Sequence, residues 1–239
     1  MSGVSNCAWH TSTLMYSTIL FDLDHTLYDS DESERLAYAH TAATFGLADP
    51  DAHFGTYVDI NRAMWAAVER GELQPTDVRH RRFEQFNATV GLDADVEEMA
   101  TAFVWGLGAH GTLYDGAADV LAALASRASL GLITNGLSDV QRSRLSRLGI
   151  ADYFDSIVVS SEVGVTKPRP EIFDVAFEQL GHPDKATTVM VGDSLTSDIA
   201  GGAGYGIATC WYNPHGKPLA PDSAPTHQIG ALSELLSLV

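Results

Sequence analysis

Apolar and polar positions divide the chain into three stretches with different periods. The first is short: Thr18 to Leu23 is a run of β-branched and apolar residues with no helical period, and it predicts a buried strand. The second runs from Asp31 to about Gly108 and carries helical signals almost throughout. Asp31 to Phe45 has acids at its start and is stopped by Gly46, and Asp51 to Arg70 is stopped by Gly71. Pro75 opens a third helix through Val90, and Asp93 or Asp95 opens a fourth through Phe103 to Leu107. Four helices joined by short Gly, Pro and Asp turns predict a helical bundle. Trp65, Phe83, Phe86, Phe103 and Trp105 fall at helical spacing and read as its core.

From Leu113 the pattern alternates. Strands are predicted at Ser129–Thr134, Ser156–Ser160, Thr187–Val191 and Gly206–Tyr212, with an edge strand at Thr226–Ile229. Helices fall at Ala117–Ser126, Ser138–Leu148, Pro170–Leu180 and Ala231–Leu238, with a Gly-rich one opening at Asp198–Gly202. This alternation predicts an α/β fold: a doubly wound, parallel, Rossmann-like sheet with the helical bundle inserted after its first strand. The expected division is a core of residues 16–30 and 110–239, a helical insertion of residues 31–109, and a flexible N-terminal extension of residues 1–15.

In such a sheet the ligand crevice lies beyond the carboxyl ends of the strands. The polar residues at those ends are Asp22 and Asp24, Thr134 and Asn135, and Asp193, with Lys167 in a loop and Asp198 beyond Asp193. Each has an ordinary explanation alone. Thr134-Asn135-Gly136 is turn chemistry, Asp193 or Asp198 can cap a helix, and a lysine is commonly an exposed charge. Their arrival at one edge of one sheet argues for a site. Two acids side by side ask for a cation, a shared proton or a cationic substrate.

Charge narrows the partners. The 239 residues carry a formal net charge of −17, which opposes a nucleic-acid footprint and an anionic membrane surface. No apolar run is long enough to span a bilayer. A negative protein that binds a negative substrate needs a local positive site made by a metal or fixed cations. Cys7 and Cys210 form neither a metal spacing nor a disulfide framework, and residues 1–14 lack the pattern of a signal peptide, so a cytoplasmic protein is expected.

The set suits Mg²⁺-dependent phosphoryl transfer to water from a small phosphorylated metabolite. Asp22, Asp193 and the Asp24 main-chain carbonyl are hard oxygen donors for the metal. Asp22 would attack phosphorus and form an aspartyl phosphate, and Asp24 would protonate the leaving alcohol and later activate water. Lys167, Thr134 and the Asn135 amide would bind the phosphoryl oxygens, and Asp198 would orient Lys167 or a metal-bound water.

These residues resemble the haloacid dehalogenase (HAD) superfamily. Ile19 to Thr26 matches its hhhhDxDxT motif, Ile133-Thr134-Asn135-Gly136 its second motif, Lys167 before Pro168 and Pro170 its third, and Gly192-Asp193-Ser194-Leu195-Thr196-Ser197-Asp198 its GDxxxxD motif. The insertion resembles the family's C1 cap. The resemblance implies a phosphatase rather than a dehalogenase, because dehalogenases lack the second acid, present here as Asp24. His25-Thr26 resembles the hydrolases more than the mutases, and His25 departs from the commoner Gly, Asn or Glu. The Gly-Val-Thr-Lys-Pro loop and Ala208 to Asn213 look similar to the 5′-nucleotidase branch, with the acylneuraminate 9-phosphatase branch and other sugar phosphatases as alternatives. The cap would select the leaving group, with Asn61, Arg62, Arg79 and Arg82 as candidates and hinges at Asp29–Glu32 and Ala109–Asp115. A receiver domain accepting phosphate, or a non-catalytic binding module, is the contrasting reading. Either monomer or homodimer is compatible with the chain.

Overall fold

Six parallel strands form one sheet in the order β3-β2-β1-β4-β5-β6. They are β1 (Thr18–Phe21), β2 (Ser129–Thr134), β3 (Ser156–Val159), β4 (Thr188–Gly192), β5 (Ala208–Tyr212) and β6 (His227–Ile229). The structure, a computed structural model, describes residues 16–239. The expected N-terminal extension, with Cys7 and Met15, lies outside the described residues.

Strand alternation builds the two layers beside the sheet. Ile19 and Phe21 of β1 point into one apolar cluster with Leu132, Val191 and α5 (Ala117–Ala125). Leu20, between them, points into the other, with Ile133, Met190 and α8 (Pro170–Gln179). The central strands are apolar on both faces because both faces are covered. The observed sheet and its helices agree with the doubly wound α/β fold expected from the alternation.

Between β1 and α5 stand four helices: α1 (Ser30–Thr44), α2 (Pro50–Glu69), α3 (Pro75–Val90) and α4 (Val96–Ala109). They share an apolar core of their own around Tyr57, Phe83, Phe86 and Phe103, joined by Val140 of α6 (Ser138–Leu148) and by Leu137 just before it. Asp29, Asp49 and Asp95 each cap a helix by accepting a backbone N–H from three residues on. The two chain segments that connect the bundle to the sheet are bonded to each other. Asp29 N donates to Thr112 O at 2.9 Å and Tyr114 N to Leu27 O at 3.0 Å.

Some local expectations are corrected. The first strand stops at Phe21 rather than Leu23, because Leu27 N and Tyr28 N both turn back to Leu23 O. Ser160 does not extend β3; it opens the single helical turn α7 (Ser160–Val163). The helix expected at Ala231–Leu238 is a 3₁₀ helix over Leu232–Ser237. Leu195–Ile199 is a π-helical turn that leads into α9 (Ala200–Tyr205). Trp105, read as bundle core, is 57% exposed and lies against His40 with ring centroids 4.6 Å apart. The helical period marks a face of α4, and the flank of that face meets solvent at Trp105.

Candidate active site

The strand order reverses between β1 and β4, and the side chains just beyond their carboxyl ends are Asp22 and Asp193. Asp22 N still pairs with Val191 O at 2.9 Å, so the carboxylate is held at the sheet edge by strand geometry. The chain then turns sharply, with His25 at φ 59°, a conformation more accessible to histidine than to most residues with a Cβ. The turn brings Thr26 back over the edge. Its hydroxyl accepts from Asp193 N at 3.1 Å and faces Asp22 Oδ2 at 3.4 Å, so one buried threonine ties the two strand ends together.

Lys167 is the charge around which the acids gather. It is buried, and its Nζ donates to Asp22 Oδ1 at 2.5 Å and to Asp198 Oδ1 at 2.7 Å. Asn135 clamps its backbone on both sides: Lys167 N donates to Asn135 Oδ1 at 2.9 Å, and Asn135 Nδ2 donates to Lys167 O at 3.0 Å. The Asn135 side chain is therefore committed to placing the lysine. Asp198 accepts Ser194 N with its other oxygen at 3.0 Å, and a Cβ on Gly192 would overlap this carboxylate. Glycine is needed there for close approach of the Asp198 carboxylate, which is what the Gly-Asp-x-x-x-x-Asp spacing encodes.

The electrostatics are unbalanced on purpose-built terms: three carboxylates stand around one ammonium. Burial alone would pull the Lys167 ammonium down, but Asp198 and Asp22 outweigh it and push the pKa up, so the lysine stays charged. The shortage of positive charge falls on the acids. Burial pushes the Asp22 carboxyl well up, with Asp198, Asp193 and Asp24 adding to it against Lys167. Burial likewise raises Asp193, to about 6, helped by Asp198. Oxygens of Asp22, Asp193 and Asp198 lie within 4.8 Å of one another. A donor set of hard oxygens with excess negative charge fits a divalent cation such as Mg²⁺. Asp198 has both oxygens engaged, at 2.7 and 3.0 Å, whereas Asp22 Oδ2 meets only the Thr26 hydroxyl at 3.4 Å, so Asp22 and Asp193 are the freer donors.

Asp24 lies in a different environment, though it lines the same cavity. Ser30 Oγ and Arg144 Nη1 donate to its Oδ1 at 2.5 and 2.7 Å, and Gln141 Nε2 donates to its Oδ2 at 2.6 Å. Burial works to raise this carboxyl, but Arg144, Ser30 and Gln141 outweigh it and hold it below the usual range. Gln141 also donates to Thr134 Oγ1 at 2.7 Å, which leaves the threonine O–H free to donate elsewhere. A Cβ on Gly136 would press on this glutamine. Arg144 reaches further still: its Nε donates to Leu107 O at 3.2 Å, its Nη2 to Ser33 Oγ at 3.3 Å, and its guanidinium stands 4.5 Å over the Tyr28 ring. It joins Asp24 to both ends of the helical insertion.

Ser30, Gln141 and Arg144 were not among the residues expected from sequence. Gln141 and Arg144 are three apart on α6, and a helix with polar residues at that spacing reads as a solvated face. Only their neighbours in space distinguish them. Replacing Arg144 by Met leaves Asp24 without its cation, and it is expected to destabilise the protein by about 2 kcal/mol or more, measured as a shift in urea midpoint. The cost falls below that of breaking a fully buried pair because the Asp24 side chain is 27% exposed.

The residues expected at the site do converge: Asp22, Asp24, Asn135, Lys167, Asp193 and Asp198 line one cavity of about 880 Å³, with Thr134 one bond behind it through Gln141. Of the expected cap residues, Asn61, Arg62 and Arg82 line the same cavity. Arg79 does not. It pairs with Asp139 of α6 at 2.7 Å, in a partly exposed ion pair near the N-terminal ends of α3 and α6. Among the described residues no helix is long and apolar enough to cross a membrane.

Comparison with known proteins fits this geometry. Residues 16–206 match the haloacid dehalogenase-like hydrolase family. The chain is 37% identical to Pyrimidine 5′-nucleotidase YjjG of Escherichia coli (strain K12), over 95% of this chain and 99% of that protein. It is 33% identical to Pyrimidine 5′-nucleotidase PynA of Streptococcus pneumoniae (strain ATCC BAA-255 / R6), over 93% and 94%. Among solved structures it resembles the magnesium-bound HAD-hydrolase YfnB of Bacillus subtilis, whose orthorhombic form is described as revealing interdomain movement. The TM-score is 0.85, with 34% identity and coverage of 92% of this chain and 97% of that one.

Proposed function

The chain belongs to the haloacid dehalogenase-like hydrolase family and is a phosphatase acting on small phosphorylated substrates, and from that premise we propose that it hydrolyses nucleoside 5′-monophosphates through an aspartyl phosphate on Asp22. One observation carries the chemistry: a buried carboxylate at a strand end, bonded to a buried lysine at 2.5 Å, with Asp193 and Asp198 beside it. The nucleotide reading draws on the two 5′-nucleotidase relatives.

Asp22 is the nucleophile. Its position is rigid, because the strand, Thr26 and Lys167 all hold it. Lys167 carries two acceptors and keeps a third N–H for a phosphoryl oxygen, and Thr134 sets Gln141 from behind the cavity wall. Asp22 and Asp193 would hold Mg²⁺, with Asp198 behind them. When bound, the ion supplies positive charge that offsets the phosphoryl oxygens and the nucleophile. Asp24 protonates the leaving alcohol and then takes a proton from the water that opens the aspartyl phosphate. In the conformation described, Asp24 is bound as an anion by Arg144, Gln141 and Ser30, so it acts as donor only after this grip loosens.

Residues 31–109 form the cap in this reading, and residues 16–30 with 110–239 form the core. The bonded pair of connecting segments is the hinge. Cap movement alters the Arg144 contacts with Ser33 and Leu107, and through Arg144 it alters Asp24.

A panel of phosphate monoesters with Mg²⁺ at neutral pH tests the function. Turnover of 4-nitrophenyl phosphate and of pyrimidine nucleoside monophosphates is expected. Turnover of sugar phosphates with no nucleotide activity would reject the substrate assignment and keep the chemistry. In a separate measurement, EDTA is expected to stop turnover and added Mg²⁺ to restore it. Mg²⁺ is also expected to raise the thermal midpoint of the wild-type protein, because it binds the folded site alone.

A further inference from the structure

The chemistry above leaves a second polar cluster in the same cavity unused. Glu34 of α1, Asn61 of α2 and Arg82 of α3 line the cap side, with Phe54, Trp65 and Phe103 between them. Arg82 is 2% exposed. Its Nη1 donates to Asn61 Oδ1 at 3.2 Å and to the Tyr57 hydroxyl at 3.5 Å, and its guanidinium stands 4.7 Å over the Phe103 ring. Asn61 Nδ2 in turn donates to Glu34 Oε1 at 2.5 Å. The Nε of Arg82 has no hydrogen-bond partner among the described residues.

A bundle this apolar does not need such a group for stability. Buried charge pairs are on average no better than well-packed apolar side chains, and an orphaned donor makes this one worse. The plainer account is an ion-pair network that fastens three helices together. Two facts weigh against it: all three side chains reach the cavity wall, and the guanidinium is left incompletely bonded. Such a wall is what a polar ligand edge would complete.

The charge balance indicates which ligand. Arg82 alone would attract a carboxylate, as an acid-sugar phosphate would present. Glu34 offsets that charge, and elsewhere on the cap side of the lining Asp31, Glu32 and Glu69 outnumber Arg35 and Arg62. Burial raises the Glu34 carboxyl, while Arg82, Tyr57 and Asn61 oppose the shift. What remains is a neutral edge with donors from Arg82 and Asn61 beside an acceptor from Glu34, flanked by flat apolar rings. The amide-like edge of a nucleobase, a ring N–H or amino group beside a carbonyl or ring nitrogen, has the complementary order.

We propose that Glu34, Asn61 and Arg82 form the leaving-group subsite, that it docks the hydrogen-bonding edge of a nucleobase, and that Glu34 excludes leaving groups bearing a carboxylate. This rests on the nucleotide reading given above. Specificity here comes from an attractive edge and a repulsive charge together.

The test compares kcat/KM for uridine 5′-monophosphate, 4-nitrophenyl phosphate and N-acetylneuraminate 9-phosphate in wild type, Glu34→Gln and Asn61→Ala. In both variants the ratio of uridine 5′-monophosphate to 4-nitrophenyl phosphate is expected to fall about tenfold or more, since lost base contacts bear on one substrate only. Glu34→Gln alone is expected to raise turnover of the acid-sugar phosphate. Inhibition of 4-nitrophenyl phosphate hydrolysis by uridine gives a second readout, and it is expected to weaken in both variants. If all substrates decline together, the cluster is structural and the proposal is overturned. If the ratio stays at the wild-type value while wild type hydrolyses nucleotides, the subsite is wrong and the nucleotide reading survives. Wild type that cleaves 4-nitrophenyl phosphate but no nucleotide removes both. Should Glu34→Gln not fold, Asn61→Ala and Glu34→Met carry the same ratio test.

Discussion

Asp22→Asn is expected to abolish hydrolysis, by about 10⁴-fold or more in kcat, while the fold persists. A loss of this size corresponds to about 5.5 kcal/mol of lost transition-state stabilisation. The reason is chemical rather than structural: the amide keeps the size and the position at the end of β1 but is no nucleophile toward phosphorus. Stability should move little or rise. Asp22 is a carboxylate that burial and three neighbouring acids disfavour, so removing its charge relieves the cluster. Lys167 keeps Asp198 at 2.7 Å as its counter-ion. Two measurements decide it. The urea midpoint of the variant should match or exceed that of wild type, and rapid quenching with a labelled ester should leave phosphate on the wild-type chain and none on the variant. Turnover in Asp22→Asn near that of wild type would remove Asp22 as the nucleophile.

Lys167→Met has the second large effect, and it acts on both stability and activity. Three buried or half-buried carboxylates would be left with no cation among them. Removing one partner of a buried pair costs about 3–5 kcal/mol, because the remaining charge stays desolvated and unpaired. For a chain of this length that is a drop on the order of 10 °C in thermal midpoint. Activity should fall by roughly 10³-fold even where the protein is folded, since the phosphoryl oxygens lose their fixed charge. The charge argument makes a further demand. Adding Asp198→Asn to Lys167→Met should recover stability, because it removes one of the stranded charges. If the double variant is less stable than Lys167→Met, packing rather than charge governs this position.

The two predictions differ in how far they could be foreseen from the chain. Asp22 stands out in sequence because an apolar run breaks off at a carboxylate, a signal contained in a few adjacent residues. The consequences of Lys167 do not stand out. A lysine in a Gly-Val-Thr-Lys-Pro loop carries no local sign that it is buried, or that Asn135 clamps its backbone from both sides. The helical insertion shows the same contrast. Its four helices follow from period, Asp caps and Gly stops. Trp105 falls outside the buried core because period identifies a face without saying how wide its buried part is. Arg79 and Arg82 are three apart on α3 and similar in sequence. One pairs with Asp139 outside, and the other is held beneath the cavity wall by Tyr57 and Asn61.

Local sequence dictates the alternation of strands and helices, the place of the insertion, and the acids, threonine and lysine that stand beyond the strand ends. Those properties depend on side-chain period, turn chemistry and capping, which act within a few residues. How the charges divide depends on packing across the chain. Asp22 is bound by a lysine 145 residues away, and Asp24 by an arginine 120 residues away that also grips both ends of the insertion. The partner of a buried charge is set by packing in space, and its energy by the surrounding dielectric, neither of which is written in neighbouring residues. Two acids that look alike in Asp-x-Asp therefore become a raised carboxyl in the acid cluster and a depressed one under Arg144.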